Sequence, residues 1–381
     1  MTHRERVLTV LNGGIPDRIA RGDIMYHPKI IDEALGLEAK KDYGNALAAW
    51  MYETMSKEEF EKQKKFRELI RCDLIAVFPT FSLTDVESNG EQKIIKDVFG
   101  NTIHVFENET KIEHVIQKPE DMDTYEYPDV KEFGYQNINL WSEKSDFCVL
   151  PITDSANFGI WFNLTGFENY MVWFYTERDR LLKLMKKHVA FNVALAKECF
   201  KYGGDVVWIG DDFASNLGTF INPSDMAEYY FPLLKWQVQE LKKSIGVPVV
   251  LHSDGDLSDV MTLIIDTGVD AVMALQPFCG MDIKELKELY GKDITLWGNI
   301  NISDLLIFGT TQEIETVVRE TIGIAAPEGR FILSTSNSPA IPDVPTKNLL
   351  AMYETAEKYG YYPIDYEVTT EHYRKYIRTW R

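Results

Sequence analysis

The chain has 381 residues and a formal charge of −19, from 40 Lys and Arg against 59 Asp and Glu. At 45% hydrophobic and 26% charged it has the balance of an ordinary globular protein, and its acidity disfavours nucleic acid and anionic membranes as partners. No apolar run reaches the roughly 18 residues of a membrane span, and the start "MTHRERVLTVLNGG" lacks the apolar stretch of a secretion signal. A cytoplasmic protein with no nucleic-acid or membrane partner is therefore expected. Cys72, Cys148, Cys199 and Cys279 are scattered without a CxxC pair, so they read as small apolar packing residues rather than a disulfide or cysteine-rich zinc framework.

In chain order, Thr2-x-x-Glu5 fits a capping box, Val7, Leu8 and Leu11 form an apolar stripe, and Gly13-Gly14 end this first predicted helix. Short apolar runs then recur. They are "RIARGDIM", the weakest, "CDLIAVFP", "FCVLPITD", "DVVWIGDD", "VPVVLHSD", "DAVMALQP", "DITLWGNI" and "RFILSTSN". They are nearly continuous rather than alternating, as in parallel strands buried on both faces. Amphipathic segments separate them, among them "TERDRLLKLMKKHVAFNVALAKECFKYGG" and "DIKELKELYG".

Eight strands alternating with helices predict an α/β (β/α)8 TIM barrel, although a doubly wound open sheet shares the local pattern. The region 80–146 breaks the repeat and reads as a β-rich insertion after strand two. No linker separates it, so 1–381 is read as a single domain.

Barrel active sites lie at the C-terminal strand ends. Those ends supply Asp154, Asp211, Asp212, His252, Asp254, Gln276, Asn299, Asn301, Ser336 and Asn337. Turn chemistry alone accounts for any single one. It accounts poorly for three strands ending in acids, one of them also in a histidine. Asp211 and Asp212 are adjacent on an extended chain and point to opposite sides, so only one faces the pocket. His252 and Asp254 are two apart and share a face, which suits either a metal pair or an acid–base pair. Gly255 permits the turn that follows, and Asp256 reads as a helix cap.

The expected catalytic set is thus His252, Asp254, Asp211 and Asp212, with His252 and Asp254 as metal-ligand candidates. The expected substrate-binding set is Asp154, Trp208, Phe213, Gln276, Asn299 and Asn337. Dense aromatics near the strand ends (Phe158, Trp161, Phe162, Trp208, Phe213, Phe220, Trp297) suggest a pocket for a partly apolar ligand. No phosphate-loop glycine pattern and no nucleophile elbow occurs.

Several stretches together resemble the uroporphyrinogen decarboxylase superfamily over essentially the whole chain. They are "NGGIPDRI", "IGDDFASNLGTFINPSDMAEYYFPLLK", "LHSDGDLSDVMTLIIDTGVDAVMALQPFCGMDIKELKELYG", "LWGNI" and "PDVPTKNLLAMYETAEKYG". The resemblance implies a (β/α)8 barrel and two functional branches. The metal-free decarboxylase branch carries a paired-arginine pattern near its start. Here Arg18 and Arg21 stand without that pattern. The corrinoid-dependent methyltransferase branch binds zinc through His-x-Cys and a later cysteine. Here His252 matches the histidine, Asp254 replaces the cysteine, and "STSNSPAIPDVP" has no cysteine.

The expectation is a methyltransferase that moves a methyl group between a small methylated or methoxylated substrate and a corrinoid carried by a separate protein, with zinc on an N/O donor set. A metal-free decarboxylase or lyase of another small acid, and a non-catalytic binding protein on the same barrel, remain the alternatives. The resemblance also leaves a homodimer open.

Overall fold

The computed structural model describes residues 1–38, 40, 51, 53–88, 92–106, 110–337 and 341–379. Eight parallel strands form the core sheet: β1 (Ala20–Arg21), β2 (Leu74–Val77), β3 (Cys148–Asp154), β4 (Val207–Gly210), β5 (Val249–Ser253), β6 (Ala271–Ala274), β7 (Thr295–Ile300) and β8 (Phe331–Thr335). Each apolar run of the sequence yields one strand. The strands are buried almost throughout, because helices cover their outer faces and side chains fill the interior.

Parallel ladders join β2 to β3 and continue through each neighbour to β8, and β8 pairs with β1. Between β1 and β2 no ladder forms among the described residues. There Asp73 N–H donates to Arg21 O at 2.8 Å, and the Asp73 carboxylate accepts from Arg21 N–H at 2.9 Å. The result is a nearly closed (β/α)8 barrel.

Asp73 also ties the N-terminal helix His3–Leu11 to the barrel. Its carboxylate accepts two bonds from Arg18 and one from Arg6, each at 2.7 Å, and lies 2.8 Å from His3 Nδ1. Arg21 is fully buried and pairs with Glu357 at 2.5 Å. Both arginines of the "DRIAR" stretch are therefore engaged in holding the barrel together.

The region after β2 divides in two. Four antiparallel strands occupy 84–113, in order Thr84–Ser88, Gln92–Lys96, Thr102–Phe106 and Thr110–Glu113. Helix Gln136–Lys144 then belongs to the barrel, packing on β2 and β3. The small sheet rests on the turn after β3: Asn101 Nδ2 donates to Asn163 O at 2.7 Å and Ile116 N–H to Leu164 O at 3.0 Å. Among the described residues no helix is long and apolar enough to cross a membrane.

Candidate functional site

Register brings the strand ends to one level. Gly210 of β4 lies opposite both Asp154 of β3 and His252 of β5. Immediately beyond, Asp212, His252 and Asp254 converge. One donor atom from each lies within 4.8 Å of the others. His252 Nε2 stands 3.8 Å from Asp212 Oδ1 and 3.9 Å from Asp254 Oδ1. These gaps are too long for hydrogen bonds. They are close to twice the roughly 2.0–2.2 Å of a metal–donor bond.

The surroundings hold these three groups in place. Trp208 stacks on the His252 ring at 5.1 Å between centroids. Asp254 N–H donates to Asp212 Oδ1 at 3.2 Å, joining the β4 and β5 loops. Gly255 has φ +92°, and a Cβ there would lie 2.6 Å from the Ala214 backbone, so glycine alone lets the turn pack against that loop. Its N–H donates to Gln276 Oε1 at 2.7 Å. Asn337, beyond β8, faces Asp254 and opposes the rise in its pKa. Asp256 accepts from Ser258 N–H at 3.0 Å, as a capping residue does.

Three buried polar atoms here lack a hydrogen-bond partner: His252 Nδ1, Asp254 Oδ1 and Trp208 Nε1. Each such group calls for a partner, whether an ion, a ligand or a water. The Asp254 carboxyl is raised to about 6, chiefly by burial and further by Asp212, with His252 and Asn337 opposing the rise.

The other expected residues separate from this cluster. Asp211 is buried beside it but faces elsewhere. It accepts from Asn157 Nδ2 at 2.8 Å, from Asp212 N–H at 2.9 Å and from the Tyr230 hydroxyl. Burial raises its carboxyl to about 7. The adjacent acids thus take opposite sides, and Asp212 is the one that joins His252.

Asp154 accepts from Asn163 Nδ2 at 2.9 Å, burial raises it to about 6, and it lines a separate cavity of about 110 Å3. Phe158 and Phe162 line that cavity too, with Phe81, Phe99 and Phe133 from the segment after β2. Phe213 packs in the core on Tyr230 and Phe231, so it presents no surface to a ligand. Asn299 donates to Leu275 O and to Met281 O, which makes it a brace between loops. Gln276 supports Gly255 rather than standing free, and Trp297 is buried with its N–H on Gly22 O. Sequence reasoning missed Tyr230 and Asn157, the partners of Asp211. The tyrosine lies in "AEYYFPLLK", where nothing distinguishes it from core aromatics.

Residues 94–359 match the family described as uroporphyrinogen decarboxylase (URO-D), well over half of the chain. The chain belongs to the URO-D family. Its relatives include enzymes of two kinds. A methylated-thiol–coenzyme M methyltransferase of Methanosarcina mazei is 25% identical over 174 residues, 46% of this chain and 44% of the relative. A uroporphyrinogen decarboxylase of Chlorobium limicola is 25% identical over 276 residues, 68% of this chain and 76% of the relative. The chain thus spans less than half the length of the methyltransferase it matches. A solved structure described as a methyltransferase from Methanosarcina mazei superposes with a TM-score of 0.70, over 94% of this chain and 99% of that one, at 17% identity. At that identity the likeness establishes the barrel fold.

Proposed function

We propose that this URO-D family member is a methyltransferase, moving a methyl group between a small methylated substrate and a corrinoid held by a separate protein. Asp212, His252 and Asp254 would hold a divalent metal, zinc first among the candidates. The observation that carries the reading is the convergence of these three donors with two of their buried atoms unpartnered. One nitrogen and two oxygens suit zinc or a harder divalent ion better than a thiolate-seeking one. When bound, the metal supplies Lewis acidity toward the heteroatom that carries the methyl group.

The chain's own residues supply position. Trp208 fixes the plane of the His252 ring, and the bond from Asp254 N–H to Asp212 Oδ1 orients the Asp212 carboxylate. The uroporphyrinogen decarboxylase reading would need cations for a polycarboxylate substrate. Arg18 and Arg21, the arginines nearest the relevant stretch, are committed to Asp73 and Glu357.

The test is metal analysis of the purified chain, with methyl transfer to a reduced corrinoid protein from a panel of methoxy, methylthio and methylamino donors. His252→Ala should lose metal and transfer together. Transfer that persists in metal-free wild type overturns the metal assignment. Release of CO2 from small acids, with no transfer from the panel, overturns the methyltransferase reading.

A further inference from the structure

A cavity of about 420 Å3 lies between β2, the residues after β1, and helices Lys57–Leu69 and Gln136–Lys144. None of Asp212, His252 and Asp254 lines it. Its position follows from the fold, because it stands over the seam where β1 and β2 form no ladder. Ile24, Met25, Val77 and Phe78 give it an apolar side, and Thr54, Ser56, Gln63 and Asn137 a polar one.

Arg67 also lines this cavity and is only 2% exposed. Among the described residues its guanidinium makes no ion pair. Nη1 donates to Gln63 Oε1 at 2.6 Å and to Gln63 O, both neutral acceptors. The nearest link to a carboxylate is indirect: Gln63 Nε2 donates to Glu59 Oε1, and Glu59 is itself paired with Lys62. The aromatic rings of Tyr26 and Trp141 lie 5.4 and 5.6 Å from the guanidinium carbon and offset part of the cost of burying it. Two buried donors here have no acceptor, Arg67 Nε and Trp141 Nε1.

A buried cation with neutral partners is costly, and such charges are ordinarily compensated. The missing component is an acceptor that carries negative charge. Glu53 and Glu59 border the cavity as well, and so do Lys40 and Lys62, so these four charges balance and Arg67 leaves a single positive charge for a monoanion to meet; a dianion or polyanion would overcompensate it in a strongly acidic chain. The apolar side, formed by Ile24, Met25, Val77 and Phe78, calls for an apolar body. We propose that this cavity is a binding site for a small organic monocarboxylate, its carboxylate on Arg67 and its apolar body against β2. The site is distinct from the Asp212–His252–Asp254 cluster and does not depend on the methyltransferase reading.

The experiment is calorimetric titration of the whole chain with hexanoate, benzoate, hexanamide and inorganic phosphate. Hexanoate and benzoate should saturate a single site. Hexanamide, neutral and of the same shape, should bind at least about tenfold more weakly, and phosphate likewise. Arg67→Met should weaken hexanoate binding by about 10- to 150-fold, the range for a hydrogen bond to a charged group. Ala76→Phe, which fills the cavity and keeps the guanidinium, should abolish it. His252→Ala should bind hexanoate as the wild type does. The proposal is overturned if no carboxylate saturates, if hexanamide or phosphate binds equally well, or if His252→Ala abolishes binding. The wild-type comparison of hexanoate with hexanamide decides the matter even if both cavity variants fail to fold.

Discussion

Asp23, just beyond β1, offers a prediction whose size can be worked out. Its carboxylate is fully buried and accepts from Thr335 N–H at 3.0 Å, Thr335 Oγ1 at 2.7 Å and the Tyr353 hydroxyl at 2.8 Å. Burial outweighs these bonds and raises its pKa from 3.8 to about 6. A carboxyl raised on folding holds its proton longer in the native state than in the unfolded one. Native protein therefore binds more protons between pH 4 and 6, and stability falls as pH rises through that window. Above pH 6 the charged, buried carboxylate costs about 3 kcal/mol relative to the unfolded chain.

Asp23→Asn removes that cost and keeps the geometry. The amide oxygen can accept from Thr335, and its NH2 can donate to Tyr353, which then donates to Tyr26 at 2.7 Å, and Tyr26 to the Cys72 sulfur at 3.7 Å. With roughly 2.1 cal/mol/K of unfolding entropy per residue, 381 residues give about 0.8 kcal/mol/K, so 3 kcal/mol is worth about 4 °C. The assay is the thermal midpoint of variant and wild type from pH 3.5 to 7.5. The variant should gain about 4 °C on the wild type between the acid and neutral ends of that range. Other titrating groups cancel in the difference. A flat difference would falsify the raised pKa, and a falling one would reverse its sign.

Arg18→Met leaves the buried Asp73 without its two-point partner and should cost about 3–5 kcal/mol, or roughly 4–6 °C in thermal midpoint. A loss below about 1 °C would show that Arg6 and His3 suffice. Gly255→Ala drives a Cβ into the Ala214 backbone and should lower both the midpoint and bound metal, because the same turn carries Asp254. Unchanged metal content would detach the turn from the site. Asp254→Cys should raise the ratio of zinc to manganese bound from an equimolar mixture, since a thiolate favours the softer ion. An unchanged ratio would remove Asp254 from the ligand set.

The barrel was legible because its information is local and repeated. Seven of the eight barrel strands are runs of four to seven residues, such as "VVLHS" or "AVMA", and burial on both faces erases the alternation that would have signalled an exposed sheet. Even β1, the faintest run, forms, because Asp73 and β8 hold its two sides. The two-residue spacing of His252 and Asp254 was equally plain.

Which carboxylate of β4 joins them was legible only as a choice of one from two. That choice is settled by Tyr230 and Asn157, distant in sequence, which claim Asp211. Phe213, Gln276 and Asn299 show the same limit. A polar or aromatic residue at a strand end can line a pocket or brace a loop, and only the partners supplied by other loops distinguish the two. The segment after β2 reads as β-rich as far as Glu113, but helix Gln136–Lys144 had no comparable signal, because "QNINLWSEK" carries only Ile138 and Trp141 as fully buried apolar residues.

The exchange at position 254 links sequence to chemistry. The resemblance leads one to expect a thiolate there, and a thiolate carries its charge on a large, weakly hydrated atom that tolerates burial as an anion when a soft metal is bound. Asp254 concentrates the same charge on two small oxygens in a site where burial already raises its pKa to about 6. Its anion is therefore the more costly one to hold without a cation, and both its neighbour Asp212 and the unpartnered Oδ1 increase that cost. An isolated pair of acids would relieve the strain by sharing a proton. Here His252 Nε2 stands between the two carboxylates, at 3.8 and 3.9 Å, without bonding either. The spacing suits three donors held apart around a common centre, which is the geometry the proposed metal would need.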